Sequence, residues 1–149
     1  DANAGADVHT DAHTDRAHAD ARAPTVTYAL GSNATCGWKC GAPHAKQTDC
    51  FSDPHSPGAL AIAEAVEVAK AAEVVVLALG LGATMEGEGC DRFDMTLSPV
   101  QQALQKAVAA VSAGKLVLVL VSAGGVDADE GSAEAVVWAP YGGEEAGTG

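Results

Sequence analysis

Two carboxylates stand two residues apart, Glu86 and Glu88, in a glycine-rich stretch that reads MEGEGCDR from position 85 to 92. Carboxyl side chains hand protons to leaving groups or take them from attacking ones. Glycoside hydrolysis needs two of them: one protonates the glycosidic oxygen, and the other attacks the sugar or activates water. A retaining glycosidase holds the two carboxyls about 5–5.5 Å apart on opposite sides of the bond. Glu86 and Glu88 share one short loop and are poorly placed to face each other across a sugar. One of them can serve as the acid, and its partner then has to come from elsewhere. The bland alternative is a pair of solvated loop acids beside a local Asp91–Arg92 ion pair.

The elements that would position this loop are legible around it. Residues 74–79 (VVVLAL) form an apolar run of strand length, as expected of a strand buried on both faces. Upstream, Ser56-Pro57 opens a helix that runs to about Ala72, with Leu60, Ile62, Ala63, Val66 and Ala69 apolar and Glu64, Glu67 and Lys70 polar. Downstream, Ser98 and Pro99 are the cap and first turn of a second helix, which turns Leu104, Val108 and Val111 inward and ends near Gly114. Residues 116–121 and 135–139 are two further apolar strands, each ending in a glycine-bearing loop, and residues 25–30 (TVTYAL) predict a short strand closed by Gly31. Strand, helix, strand, helix, strand implies an α/β fold: a three-layer α/β/α sandwich with a mainly parallel sheet. The strand-ending loops then open on one edge of the sheet, where α/β proteins place their chemistry.

The 149 residues suffice for one domain with a core of its own, expected over residues 24–149. Residues 1–23 use little beyond Ala, Asp, His and Thr, carry no apolar face and are expected to be disordered. Within that tail His9 and His13, with Asp11 and Asp15, have helical metal-ligand spacing, but a solvated tail is the better reading and no metal site is assigned. Residues 31–57 form a long loop with three of the four cysteines, Cys36, Cys40 and Cys50, which are the disulfide candidates; the fourth is Cys90. The pairings open to four cysteines are not distinguished by spacing. Asn33-Ala34-Thr35 is a glycosylation sequon, and with clustered cysteines it points to an extracellular, secreted protein.

A net charge of −12 argues against nucleic acid and anionic membranes as partners. No apolar run approaches the roughly 20 residues of a membrane-spanning helix. The chain opens on Asp1, as expected of a processed chain or a piece of a longer one. Gly80-Leu81-Gly82 after a strand invites a dinucleotide-binding reading, but the third glycine position holds Met85 and no helix starts there. No cofactor is implied.

The stretch MEGEGCDRFDMTLSPVQQ resembles the I-E-x-E-G-x-D-R-x-x-L-x-L-P-G-x-Q signature of family 3 glycoside hydrolases, in their β-xylosidase branch. The resemblance continues in register from about residue 25 to 149: residues 61–72 with EVVVLALGL, then LVLVLVSAGGVD, then AVVWAPYGGEEAG. The pattern departs at Ser98-Pro99, where the family has Pro-Gly, and at Cys90, where it usually has Leu. The resemblance implies the second, α/β sandwich domain of these enzymes, in an incomplete copy. In such enzymes a (β/α)8 barrel supplies an Asp nucleophile and the sandwich domain supplies a Glu acid/base. By motif position Glu86 takes the acid/base role, Glu88 is its fallback, and Asp91 and Arg92 contact a carbohydrate substrate. The implied activity is hydrolysis of O-glycosyl bonds by a β-xylosidase- or β-glucosidase-like exo-enzyme acting on plant-type polysaccharides or oligosaccharides. Without barrel or nucleophile, this chain is expected to be inactive alone. The alternative is a non-catalytic extracellular carbohydrate-binding or structural module derived from that domain.

Overall fold

The computed structural model describes residues 24–32, 50–83 and 85–142. The expectations for residues 1–23, Asn33, Cys36 and Cys40 fall outside these residues.

Helix α1 spans Pro57–Ala71. Its start is the one the sequence predicts: Pro57 occupies the first turn and the Ser56 hydroxyl accepts from the Ala59 N–H at 3.2 Å. Its end is held by Lys115, whose Nζ donates to the carbonyls of Ala69 at 3.0 Å and Ala72 at 2.7 Å. These carbonyls have no partner within the helix, and a cation suits the negative end of its dipole. The inward face differs in part from the expected one. Ile62, Val66 and Ala69 meet the core as expected, but Leu60 and Ala63 are exposed, and Ala65 and Ala72 pack inward in their place. Glu64, Glu67 and Lys70 mark the outer face, but with apolar residues on every other side tertiary contact decides which of them turn inward.

Strand β1 covers Val75–Gly80, helix α2 Pro99–Ala109, strand β2 Leu116–Ser122 and strand β3 Ala135–Pro140, with a single 3₁₀ turn at Glu130–Ser132 before β3. The three strands form one parallel sheet in the order β1-β2-β3, with Val75 opposite Leu116 and Val117 opposite Ala135. The α/β class and the parallel sheet follow the sequence reading. Val75, Leu77 and Leu79 of β1 and Leu116, Leu118 and Leu120 of β2 point to one face, where Ala69, Leu104 and Val108 of the two helices cover them. Residues between them point the other way, and Val76 is 64% exposed there. Among the described residues, therefore, the apolar runs of β1 and β2 are packed on one face of the sheet, and that of β3 is largely exposed.

Residues 25–30 do not form the predicted strand. They run as coil, with Val26, Tyr28 and Leu30 exposed. Thr27 to Gly31 line a groove of about 340 Å³ along β1 together with Ala65, Ala69 and Leu104. Gly31, at φ +75, lies so close to Leu104 of α2 that a Cβ there would stand 2.8 Å from Leu104 Cδ2. β-Branched residues favour a pleated surface only where a strand is there to pair with.

Candidate active site

The loop between β1 and α2 leaves the sheet at its carboxyl edge, and its base is fixed by α2. Gly80 donates its N–H to Gln101 Oε1 and accepts from Gln101 Nε2, both at 2.8 Å. Gln101 is 2% exposed and also approaches Ser98 Oγ at 3.3 Å, so Ser98 caps α2 by position while its hydroxyl serves Gln101. Beyond Gly80, Leu81 donates to the Val121 carbonyl at 2.8 Å, and the Gly82 carbonyl accepts from Met85 at 2.7 Å and Glu86 at 3.1 Å. Met85 is buried beneath this turn. The turn therefore delivers Glu86 onto the ends of the neighbouring strands.

Three groups meet the Glu86 carboxylate. Oε1 accepts from the Ala123 N–H at 2.7 Å and from the Tyr141 hydroxyl at 2.6 Å. Oε2 lies 3.2 Å from Arg92 Nε, in an ion pair whose side chains are 10% exposed for Glu86 and 17% for Arg92. Arg92 reaches on to the Gly125 carbonyl through Nη1 at 2.9 Å. Residues after all three strands thus converge: Glu86 and Arg92 after β1, Ala123 and Gly125 after β2, and Tyr141 after β3. Gly124 leaves room for the approach: a Cβ there would stand 3.0 Å from Arg92 Nη2, and the guanidinium would have to give way. The Tyr141 phenol is pushed up to about 12, by partial burial, by its hydrogen bond to Glu86 and by the Glu86 charge, with Arg92 opposing. Trp138 of β3 donates from Nε1 to Ser122 Oγ at 3.0 Å, and Ser122 Oγ donates to the Gly124 carbonyl at 2.6 Å, which ties the β2 and β3 ends together.

Glu88 is placed differently. Cys90 donates its N–H to the Gly87 carbonyl at 2.9 Å, closing a four-residue turn with Glu88 and Gly89 at its corners. Gly89 has φ +74, as the third position of a type II turn requires, and a glycine adopts that without strain. Glu88 is exposed at the tip, as is Asp91 beyond the turn.

The structure thus brings Glu86 and Arg92 together and leaves Glu88 and Asp91 on the surface. The local Asp91–Arg92 pair is replaced by Arg92–Glu86. Neither described cysteine, Cys50 or Cys90, is a free thiol. Among the described residues no group of three or more His, Cys, Asp or Glu side chains is placed to hold a metal ion. Sequence reasoning passed over Tyr141 and Gln101 as functional positions. The available signal for Tyr141 was its place just past the third parallel strand, where the loops of such a sheet gather.

Comparison with known proteins agrees with this architecture. The sequence matches the Glycosyl hydrolase family 3 C-terminal domain over residues 7–149. It is 42% identical over 91 residues to probable β-D-xylosidase 7 of Arabidopsis thaliana and 38% identical over 90 residues to β-D-xylosidase 3 of the same plant. Each match takes in 58% of this chain and 12% of the relative, so the chain spans a small part of the curated proteins it resembles. Among solved structures, a β-glucosidase from Kluyveromyces marxianus in complex with glucose aligns with a TM-score of 0.52 at 33% identity, over 56% of this chain and 10% of that one. A parallel sheet with its Glu-Gly-Glu-Gly-Cys-Asp-Arg loop at the carboxyl edge, and a family match along nearly the whole sequence, lead to one conclusion: this chain belongs to glycoside hydrolase family 3, as a C-terminal domain of that family.

Proposed function

We propose that this chain is the acid/base-bearing domain of a secreted β-xylosidase- or β-glucosidase-like exo-glycosidase acting on plant-type polysaccharides or oligosaccharides, and that Glu88 carries the proton. The observation behind the choice is the set of partners around Glu86. Its three neighbours, the Ala123 N–H, the Tyr141 hydroxyl and the Arg92 guanidinium, all donate to it. A side chain held in this way is an anchor. Glu88 stands two residues on, exposed at the corner of a turn, free to meet a glycosidic oxygen brought from outside the chain.

In this reading Glu88 protonates the leaving oxygen, and as carboxylate it then takes a proton from the attacking water. The nucleophilic carboxylate comes from a (β/α)8 barrel in the parent protein. Asp91, exposed beside the turn, is the candidate for a sugar hydroxyl. The Asn33 sequon supports secretion, and so does the lack of a free thiol at Cys50 or Cys90, since disulfides persist in oxidising compartments.

The test compares Glu88→Gln and Glu86→Gln in the parent enzyme. Loss of the acid/base slows glycosylation by poor leaving groups by about 10²–10⁴-fold, spares that step for activated ones such as nitrophenolate, and slows the attack of water in both. Azide, which needs no general base, should restore turnover of the nitrophenyl substrate in Glu88→Gln. Glu86→Gln should weaken both substrate types together, without azide rescue. The leaving-group dependence appearing in Glu86→Gln instead would return the role to Glu86. No such dependence in either variant would favour the non-catalytic module.

A further inference from the structure

We infer that Tyr141 and Arg92 are positioning residues: acting through Glu86, they clasp the base of the Glu88 turn and moor it to the ends of β2 and β3. The inference rests on the reading of Glu88 only for its catalytic consequence.

The turn at 87–90 has one residue before it, Glu86, and Arg92 two residues after it. These flanking residues pair with each other at 3.2 Å, so their side chains close the loop across its base. A closed loop of this length leaves Glu88 few positions, but the clasp alone would not fix the loop against the sheet. Three contacts do that: the Ala123 N–H and the Tyr141 hydroxyl on Glu86 Oε1, and the Gly125 carbonyl on Arg92 Nη1. Among these, the Tyr141 hydroxyl is the one side-chain mooring from β3. It reaches 55 residues back along the sequence, so it forms only when all three strands are in register. Ser122 and Trp138 keep the β2 and β3 ends at a fixed spacing, which lets Ala123 and Tyr141 address the same oxygen.

A proton donor has to stand within hydrogen-bond reach of the oxygen it serves, and displacement by about 1 Å can cost 10²-fold in rate. A clasp beneath the donor supplies that placement. It also explains why an arginine stands at position 92. Arginine's fork contacts Glu86 through Nε and Gly125 through Nη1 at once, which the single ammonium of lysine cannot do with the same geometry.

Amide hydrogen exchange by NMR on the full 149-residue chain tests the clasp without requiring activity. In Tyr141→Phe, which removes only the hydroxyl, the Cys90 and Ala123 amides should exchange about tenfold faster, while those of Leu118 and Leu120 in β2 keep their wild-type rates. Arg92→Lys should give the same pattern. Glu86→Gln should lower the titration midpoint of Tyr141 from about 12 towards the ordinary phenol value, read by tyrosinate absorbance with Tyr141→Phe as the blank. Unchanged exchange at Cys90 in both variants would overturn the inference, as would a uniform rise across the sheet, which signals general destabilisation. Glu88→Gln should leave the exchange pattern as it is. If Glu88 proves dispensable for catalysis while Tyr141→Phe still loosens Cys90, the clasp stands and the catalytic reading fails. The reverse result separates them the other way.

Discussion

Gln101 and Gly80 are joined by a two-way hydrogen bond. The carboxamide of a residue in the first turn of α2 accepts from the N–H and donates to the carbonyl of the last residue of β1, each at 2.8 Å. The side chain completes the ladder where the strand turns out of the sheet. It also sets the point from which the Glu86 loop departs, so a buried amide in a helix governs the placement of a carboxylate six residues past the strand end.

Replacing Gln101 by Ala removes both partners from the part-buried end of β1. An unpaired buried polar group costs about 1–3 kcal/mol, so Gln101→Ala should lose roughly 2–4 kcal/mol in urea unfolding. Gln101→Glu keeps the acceptor for the Gly80 N–H but sets a carboxylate oxygen against the Gly80 carbonyl. It should destabilise at neutral pH and recover part of the loss in acid, where protonation restores a donor. Equal stability of Gln101→Glu at pH 4 and pH 7 would contradict this account.

Tyr141 gives a pH signature with a definite sign. Its folded value of about 12 lies above the ordinary phenol value of 10.0, so the folded state favours the neutral phenol. The stabilisation is complete below pH 10, shrinks as pH rises through 10 to 12, and is gone above the folded value. Unfolding midpoints of the wild type and Tyr141→Phe, measured from pH 8 upward, should differ by a constant amount to about pH 10 and then converge. The ring is partly exposed, so solvent screening keeps the effect small. Parallel curves through pH 11.5 would show that the Glu86 bond does not distinguish the two forms of Tyr141.

What the sequence revealed, and what it hid, divides by the range of the interactions. Ser56-Pro57 and Pro99 announce helix starts because caps act within one turn, and the structure begins α1 and α2 there. The apolar runs of β1 and β2 are visible because strand-length runs of Val and Leu have few other uses. Residues 25–30 carry the same local signal and form no strand, since pairing depends on what lies alongside. The Glu-Gly-Glu-Gly-Cys-Asp-Arg stretch is legible as a candidate site, but the unlike surroundings of its two glutamates are not. Glu86 and Glu88 differ only in their surroundings, and those of Glu86 come from residues 123 and 141, beyond any local pattern.

The faces of the sheet supply a last contrast. Val76 and Leu118 belong to adjacent strands and to equally apolar runs, yet Val76 is 64% exposed and Leu118 fully buried. Leu118 sits among Leu77, Leu104 and Val108 in the core under the helices. Truncating a buried leucine leaves a cavity and costs about 2–5 kcal/mol. Leu118→Ala should fall in that range or leave the chain unfolded, whereas Val76→Ala in this chain should change stability by about 0.5 kcal/mol or less, as at exposed sites. Urea titrations of the two variants measure the difference directly. The reading fails if Val76→Ala matches Leu118→Ala, because that would mean the second face of the sheet is also packed in solution. The physical basis is that apolar area already in water contributes little when removed, while the same methyl groups under α2 carry transfer and packing energy together.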